Sequence, residues 1–153
     1  MSLKKERGFT LLEVMLVVVI LSMLAAVALP RLAASSQTAR EKADIATGRE
    51  VKAALDRYQV ENGVYPRLGE LRAEKGEVSG LGFIPEYFRK LDSRVTQQVV
   101  PNEQKGFGIA EISLGNSYST PQNLIMIYLT TDGSAAEVIV YDHTLTNVLW
   151  SSL

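Results

Sequence analysis

Apolar residues fill almost every position from Phe9 to Leu29, interrupted only by Thr10, Glu13 and Ser22. At 1.5 Å per residue this run makes about 30 Å of helix, one hydrocarbon thickness. From Arg31 to Asn62 the pattern changes to a helical period of three or four. Leu32, Ala39, Ala43, Ala46, Thr47, Val51, Ala54, Leu55 and Tyr58 form one weakly apolar stripe, and charged residues such as Arg40, Lys42, Glu50 and Arg57 cover much of the rest. Gly48 is a weak point, at about 1 kcal/mol against Ala. Asn62-Gly63 is a C-terminal stop and Pro66 blocks resumption. The pattern therefore predicts one helix from Phe9 to Asn62, about 80 Å long by the same rise. Pro30 removes the bond to the Ala26 carbonyl, which predicts a kink there.

Beyond the helix, Arg67 to Gly82 reads as loop, and Ile84 to Asp92 as a short helix starting at Pro85. Tyr87, Phe88 and Leu91 read as packing residues. After Asp92 the period falls to two, with strands predicted over 107–114, 124–130, 137–141 and 147–150. Thr131-Asp132-Gly133-Ser134 has the composition of a hairpin turn. The expected fold is α+β: a long N-terminal helix, its first half transmembrane, packed by its C-terminal half on a small antiparallel sheet. The organisation that follows is a leader over 1–8, a transmembrane and assembly helix over 9–30, its amphipathic continuation over 31–63, and a globular domain over 64–153.

Charge fixes the orientation of the apolar run. Lys4, Lys5 and Arg7, with Glu6, make a basic leader that keeps the N-terminus cytoplasmic and sends the globular domain outward. The net charge is −1. Removing residues 1–8 takes away three bases and one acid, leaving 13 Lys+Arg against 16 Asp+Glu, or −3. Such a chain has no bulk attraction to nucleic acid. With no cysteine, a disulfide framework and thiolate metal sites are excluded.

The feature composition does not explain is Glu13. An ionisable group inside a membrane helix costs several kcal/mol, roughly 2.5–3.5 on insertion scales, and is rarely there without a partner. The basic leader, Gly8, Phe9 and Glu13 together resemble the N-terminal signal of type IV pilins and type II secretion pseudopilins. Tyr58-x-x-Glu61-Asn62-Gly63-Val64-Tyr65-Pro66 resembles the segment that ends the helix in many pseudopilins. The resemblance covers Lys4 to about Pro66, and the C-terminal half matches in layout only. It implies cleavage between Gly8 and Phe9 by a prepilin peptidase, with methylation of the new N-terminus at Phe9. It implies that Glu13 neutralises the α-amino group at Phe9 of a neighbouring subunit and so sets register. It further implies that Pro30 lies where the helix can unwind in a filament.

The partners implied are further copies in a helical filament, other pilins or pseudopilins, the peptidase, and an inner-membrane assembly platform with its ATPase. The implied location is the inner membrane, single-pass, and a periplasmic or extracellular filament after assembly. A type IV pilin subunit is the alternative to a pseudopilin. An ordinary signal peptide cut after Ala26-Val27-Ala28, releasing a soluble binding domain, and an uncleaved signal anchor are further readings.

No catalytic constellation stands out, and no metal or cofactor is expected. Asp132, Glu137 and Asp142 lack dense ligand spacing and read as turn and surface acids. His143, the single histidine, reads as a surface residue. Ser113, Ser117 and Ser119 have no base at recognisable spacing, and there is no phosphate-binding loop sequence.

Overall fold

The computed structural model describes residues 9–80, 82–112 and 118–153. The expected leader, with Gly8, and the serines Ser113 and Ser117 lie outside these. The chain divides into two compact units, Met1–Gln37 and Thr38–Leu153. Helix α1 spans Leu11–Asn62 and stays helical through Pro30. In the first unit every described residue is exposed, including Val17, Ile20 and Leu24. The helix is long and apolar enough to cross a membrane.

In the second unit α1 ends as the sequence predicts. Gly63 takes φ +81°, and its N–H donates to the Gln59 carbonyl at 2.8 Å, a left-handed cap that suits glycine. Two sheets follow. Strands β1 (Arg72–Glu74) and β2 (Glu77–Ser79) form an antiparallel hairpin. Strands β3 (Phe107–Glu111), β4 (Ile125–Leu129), β5 (Ala136–Tyr141) and β6 (Val148–Ser151) form a four-stranded sheet in that order. The β4–β5 turn falls at Thr131–Ser134 as expected, with Thr130 N–H donating to the Ala135 carbonyl at 3.2 Å.

The core lies between α1 and one sheet face. Val51, Ala54 and Leu55 pack with Phe107, Ile125, Ile127, Leu129, Val138 and Val140, all essentially fully buried. Met126, Tyr128, Ile139 and Tyr141 point to the opposite face and form a second cluster. Strand β4 is therefore covered on both faces. That is why its sequence, Ile-Met-Ile-Tyr-Leu, is a continuous apolar run rather than an alternation.

Four expectations need correction. The sheet is mixed: β3 pairs with β4 in parallel, while the other pairs are antiparallel. A parallel neighbour requires a connection of about a dozen residues or more, and the sequence between β3 and β4 is long enough for one. Second, part of the expected loop over 67–82 is the β1–β2 hairpin. Lys75 and Gly76 both take positive φ, +51° and +76°, the combination a two-residue hairpin turn needs. Third, the segment after Pro85 is a series of turns. The Ile84–Pro85 peptide is cis. Tyr87 N–H and Phe88 N–H both donate to the Phe83 carbonyl, and Leu91 is drawn off to accept from Val78 N–H at 2.8 Å. So short a stretch does not repay helix nucleation against that pairing.

The fourth concerns the helix stripe. Leu32, Ala39 and Ala46 are exposed, and the buried face upstream of Val51 consists of Asp44 and Gly48. Asp44 Oδ1 accepts from Gln97 N–H at 2.6 Å, and Oδ2 from Gln98 N–H at 3.1 Å. Burial raises its carboxyl above the ordinary range, and those hydrogen bonds offset only part of the rise. Gly48 is the point of closest approach to the sheet. A β-carbon there would stand 2.5 Å from Val140 Cγ2 and 3.3 Å from the Trp150 ring. Gly48→Val should therefore lower stability by about 1–3 kcal/mol through overpacking. Thermal unfolding of the detergent-solubilised protein by circular dichroism checks this, and an unchanged midpoint would contradict the close approach.

Candidate functional site

The buried face of α1, from Asp44 to Leu55, is accounted for by the globular unit, and the polar chemistry left to explain lies at the helix N-terminus. Thr10 precedes the first helical residue and Glu13 stands three residues on, the spacing of a capping box. The reciprocal bonds are present. Glu13 N–H donates to Thr10 Oγ1 at 3.2 Å, while Thr10 N–H and Thr10 Oγ1 each donate to Glu13 Oε2 at 2.9 Å. Val14 N–H donates to the Thr10 carbonyl at 3.3 Å. Two of the amides a helix start leaves unpaired are thus satisfied by side chains. Thr-x-x-Glu before an apolar run is the sequence signal of this box, and it marks Thr10 as the cap.

Phe9 is 81% exposed, and it lies immediately before this box. All three Glu13 bonds to Thr10 use Oε2 or the backbone, and none uses Oε1. Ser22 Oγ donates back to the Val18 carbonyl at 2.7 Å, so the hydroxyl does not sit unpaired in the apolar run. Pro30 is exposed and lies in mid-helix.

The C-terminal acids behave differently from the surface reading. Asp132 does belong to the turn. Its Oδ1 accepts from Ser134 N–H at 3.0 Å, and this bond leads those that lower its carboxyl to about 2. Glu137 and Asp142, by contrast, are buried. Glu137 accepts from Tyr118 Oη at 2.6 Å and from Ser151 Oγ at 2.7 Å, and it pushes the Tyr118 hydroxyl up to about 12. Asp142 organises the β5–β6 loop. It accepts from the backbone N–H groups of Thr144 (3.1 Å), Thr146 (3.1 Å) and Asn147 (3.3 Å), from Thr144 Oγ1 (2.8 Å) and from Asn147 Nδ2 (2.7 Å). Burial alone would raise this carboxyl, but the hydrogen bonds from Asn147, Thr144 and Thr146 outweigh it and hold it far below the usual range. His143 is exposed beside it. Among the described residues, no group of three or more His, Cys, Asp or Glu side chains could hold a metal ion.

Comparison with known proteins bears on the N-terminal segment. Residues 3–29 match the family model of the prokaryotic N-terminal methylation motif. The chain is 42% identical over 65 residues to type II secretion system core protein G of Vibrio cholerae, covering 42% of this chain and 44% of that protein. It is 41% identical over 68 residues to the Pseudomonas aeruginosa protein of the same name, with 43% and 46% covered. The Escherichia coli protein of that name is 39% identical over 66 residues, again with 43% and 46% covered. The chain thus matches a little under half the length of these relatives. No solved structure matches it significantly. The resemblance to prepilin-type proteins is borne out, on the side of the type II secretion pseudopilins.

Because Asp142 has its carboxyl lowered on folding, its contribution to stability is complete above the unfolded value of about 3.9 and disappears as pH falls through the folded value. Asp142→Ala should cost about 1.5–3 kcal/mol by removing the charged acceptor that gathers the loop donors. The variant's unfolding midpoint should also show a shallower fall than the wild type's as pH drops below about 4. Parallel acid slopes in the two proteins would overturn this account of the loop.

Proposed function

We propose that the chain is a pseudopilin-like structural subunit of a type II secretion-like machine. It is inserted by its N-terminal helix, processed by a prepilin peptidase between Gly8 and Phe9, methylated at Phe9, and polymerised into a filament. The observation that carries this reading is a carboxylate, Glu13, held one turn from Phe9 on an otherwise apolar helix start. A buried carboxylate and a buried ammonium are each costly alone and tolerable as a pair. The bonds from Thr10 use Oε2, and a carboxylate accepts several hydrogen bonds, so the same group can also take the α-amino group of a neighbour's Phe9. A contact of this kind joins unlike surfaces of two copies, and where its rotation does not close it builds a helical filament.

The working division is a leader over 1–8, an assembly helix over 9–30 with Pro30 as the place where it can loosen, an amphipathic segment over 31–63, and a globular domain over 64–153. The partners are further copies, other pseudopilins, the peptidase, and the inner-membrane platform with its ATPase. The globular domain lies outside the cytoplasmic membrane, as the basic leader dictates.

Glu13→Val should insert and be processed like the wild type yet fail to enter filaments, as read by mass spectrometry of the membrane fraction and by shearing and imaging of fibres. Normal fibres from this variant would overturn the pairing. A mature wild-type protein beginning at Leu29 would overturn the whole assignment in favour of a secreted domain.

Thr10→Val removes the side-chain half of the capping box and should cost the helix start about 0.5–2 kcal/mol. Faster amide exchange over residues 11–14 in detergent, with processing unchanged, is the expected result.

A further inference from the structure

Of the asparagines in the chain, only Asn62 is followed by glycine. With no side chain on the following residue, the Gly63 backbone nitrogen can approach the Asn62 side-chain carbonyl carbon. Attack forms the N–Cγ bond of a five-membered succinimide and breaks Cγ–Nδ2. Ammonia leaves, carrying the proton from the attacking nitrogen. Water then opens the ring at either carbonyl and leaves aspartate or isoaspartate. The only co-reactant is water, and both residues are exposed to it.

In the folded chain each reacting group is engaged elsewhere. The nucleophile, Gly63 N, donates its hydrogen to the Gln59 carbonyl at 2.8 Å. The leaving nitrogen, Asn62 Nδ2, donates to the Tyr58 carbonyl at 2.9 Å and to Tyr87 Oη at 3.2 Å. Tyr87 is itself held firmly. Its hydroxyl donates to Glu61 Oε2 at 2.5 Å, its ring meets Tyr58 edge-on at 5.1 Å, and its carbonyl accepts from Arg57 at 3.0 Å. Ring closure requires Gly63 to leave the last turn of α1 and the Asn62 side chain to rotate off both acceptors.

We propose that Asn62-Gly63 is a site of spontaneous deamidation, held closed in the native fold by the helix cap at Gly63 and by the hydrogen bond of the Asn62 amide to Tyr87. Tyr87 is a positioning residue here, since it touches the leaving group without taking part in the bond changes. The consequence of opening is directional. A carboxylate at position 62 cannot donate to Tyr58 or Tyr87. It also adds negative charge beside Glu61 at the C-terminal end of α1, where the helix dipole disfavours it. Modification therefore removes the Asn62 link between the end of α1 and Tyr87, leaving those through Glu61, Tyr58 and Arg57, and no reverse reaction restores the amide.

The test uses the full chain purified in detergent and incubated at mildly alkaline pH, with peptide mass spectrometry following the gain of one mass unit at Asn62. Native wild type should convert at least tenfold more slowly than the same chain unfolded in urea. Tyr87→Phe should convert several-fold faster than native wild type, while the Asn147 peptide stays unchanged. Equal rates for native and urea-unfolded wild type would overturn the proposal, and an unaccelerated Tyr87→Phe would remove Tyr87 from it. Acceleration at Asn147 as well would mark general unfolding of the variant, and the native-versus-urea comparison then decides. None of this depends on filament assembly, so failure here and failure of the pseudopilin reading are separable.

Discussion

The 38–153 unit is arranged around the contact between one face of α1 and the inward residues of β4 and β5. Val51, Ala54 and Leu55 meet Ile125, Ile127, Val138 and Val140 with almost no solvent left between them. Burying each of the valine, leucine and isoleucine side chains contributes about 1.5–3 kcal/mol. Gly48 allows the contact to continue up the helix, because the sheet comes too close there for any β-carbon. A residue that looks like a flaw in helix propensity is thus required by packing. The helix loses about 1 kcal/mol of propensity at Gly48 and gains the approach of Val140 and Trp150.

Buried carboxylates then fix what the apolar contact leaves loose. Asp44 ties the irregular chain at Gln97 and Gln98 to α1, and Asp142 closes the β5–β6 loop on itself. Glu137 joins β5 to Ser151 of β6 and to Tyr118. Each accepts several donors, the condition under which burying a carboxylate is tolerable. Their environments push in opposite directions: burial prevails at Asp44, while loop donors prevail at Asp142. Among the described residues none of these acids lies in a cluster suited to a metal, and their hydrogen bonds organise loops and strands.

The start of α1 follows another logic. An apolar helix has nothing to satisfy its first amides except what its own side chains offer. Thr10 and Glu13 supply that, and the same carboxylate is the group that the pseudopilin reading assigns to contact between subunits. One residue can serve both ends because an ionised carboxylate accepts several hydrogen bonds.

Periodicity determined the long helix and the four strands from Phe107 onward, and turn-forming residues determined the helix end at Asn62 and the Thr131–Ser134 turn, because all of these depend on neighbours a few residues apart. The N-terminal signal was equally legible, since basic leader, Gly8, Phe9 and Glu13 are contiguous. What only the tertiary structure decided involves partners distant in the chain. The parallel β3–β4 pairing is one such feature, since alternation within a strand does not say in which direction its neighbour runs. Asp44 is buried because Gln97 and Gln98 come to it from more than fifty residues away. Leu32 and Ala46, apolar and at helical spacing, remain exposed, while Gly48 and Asp44 face the core. Spacing says which residues share a face, and only the packed sheet decides how much of that face is covered and how closely.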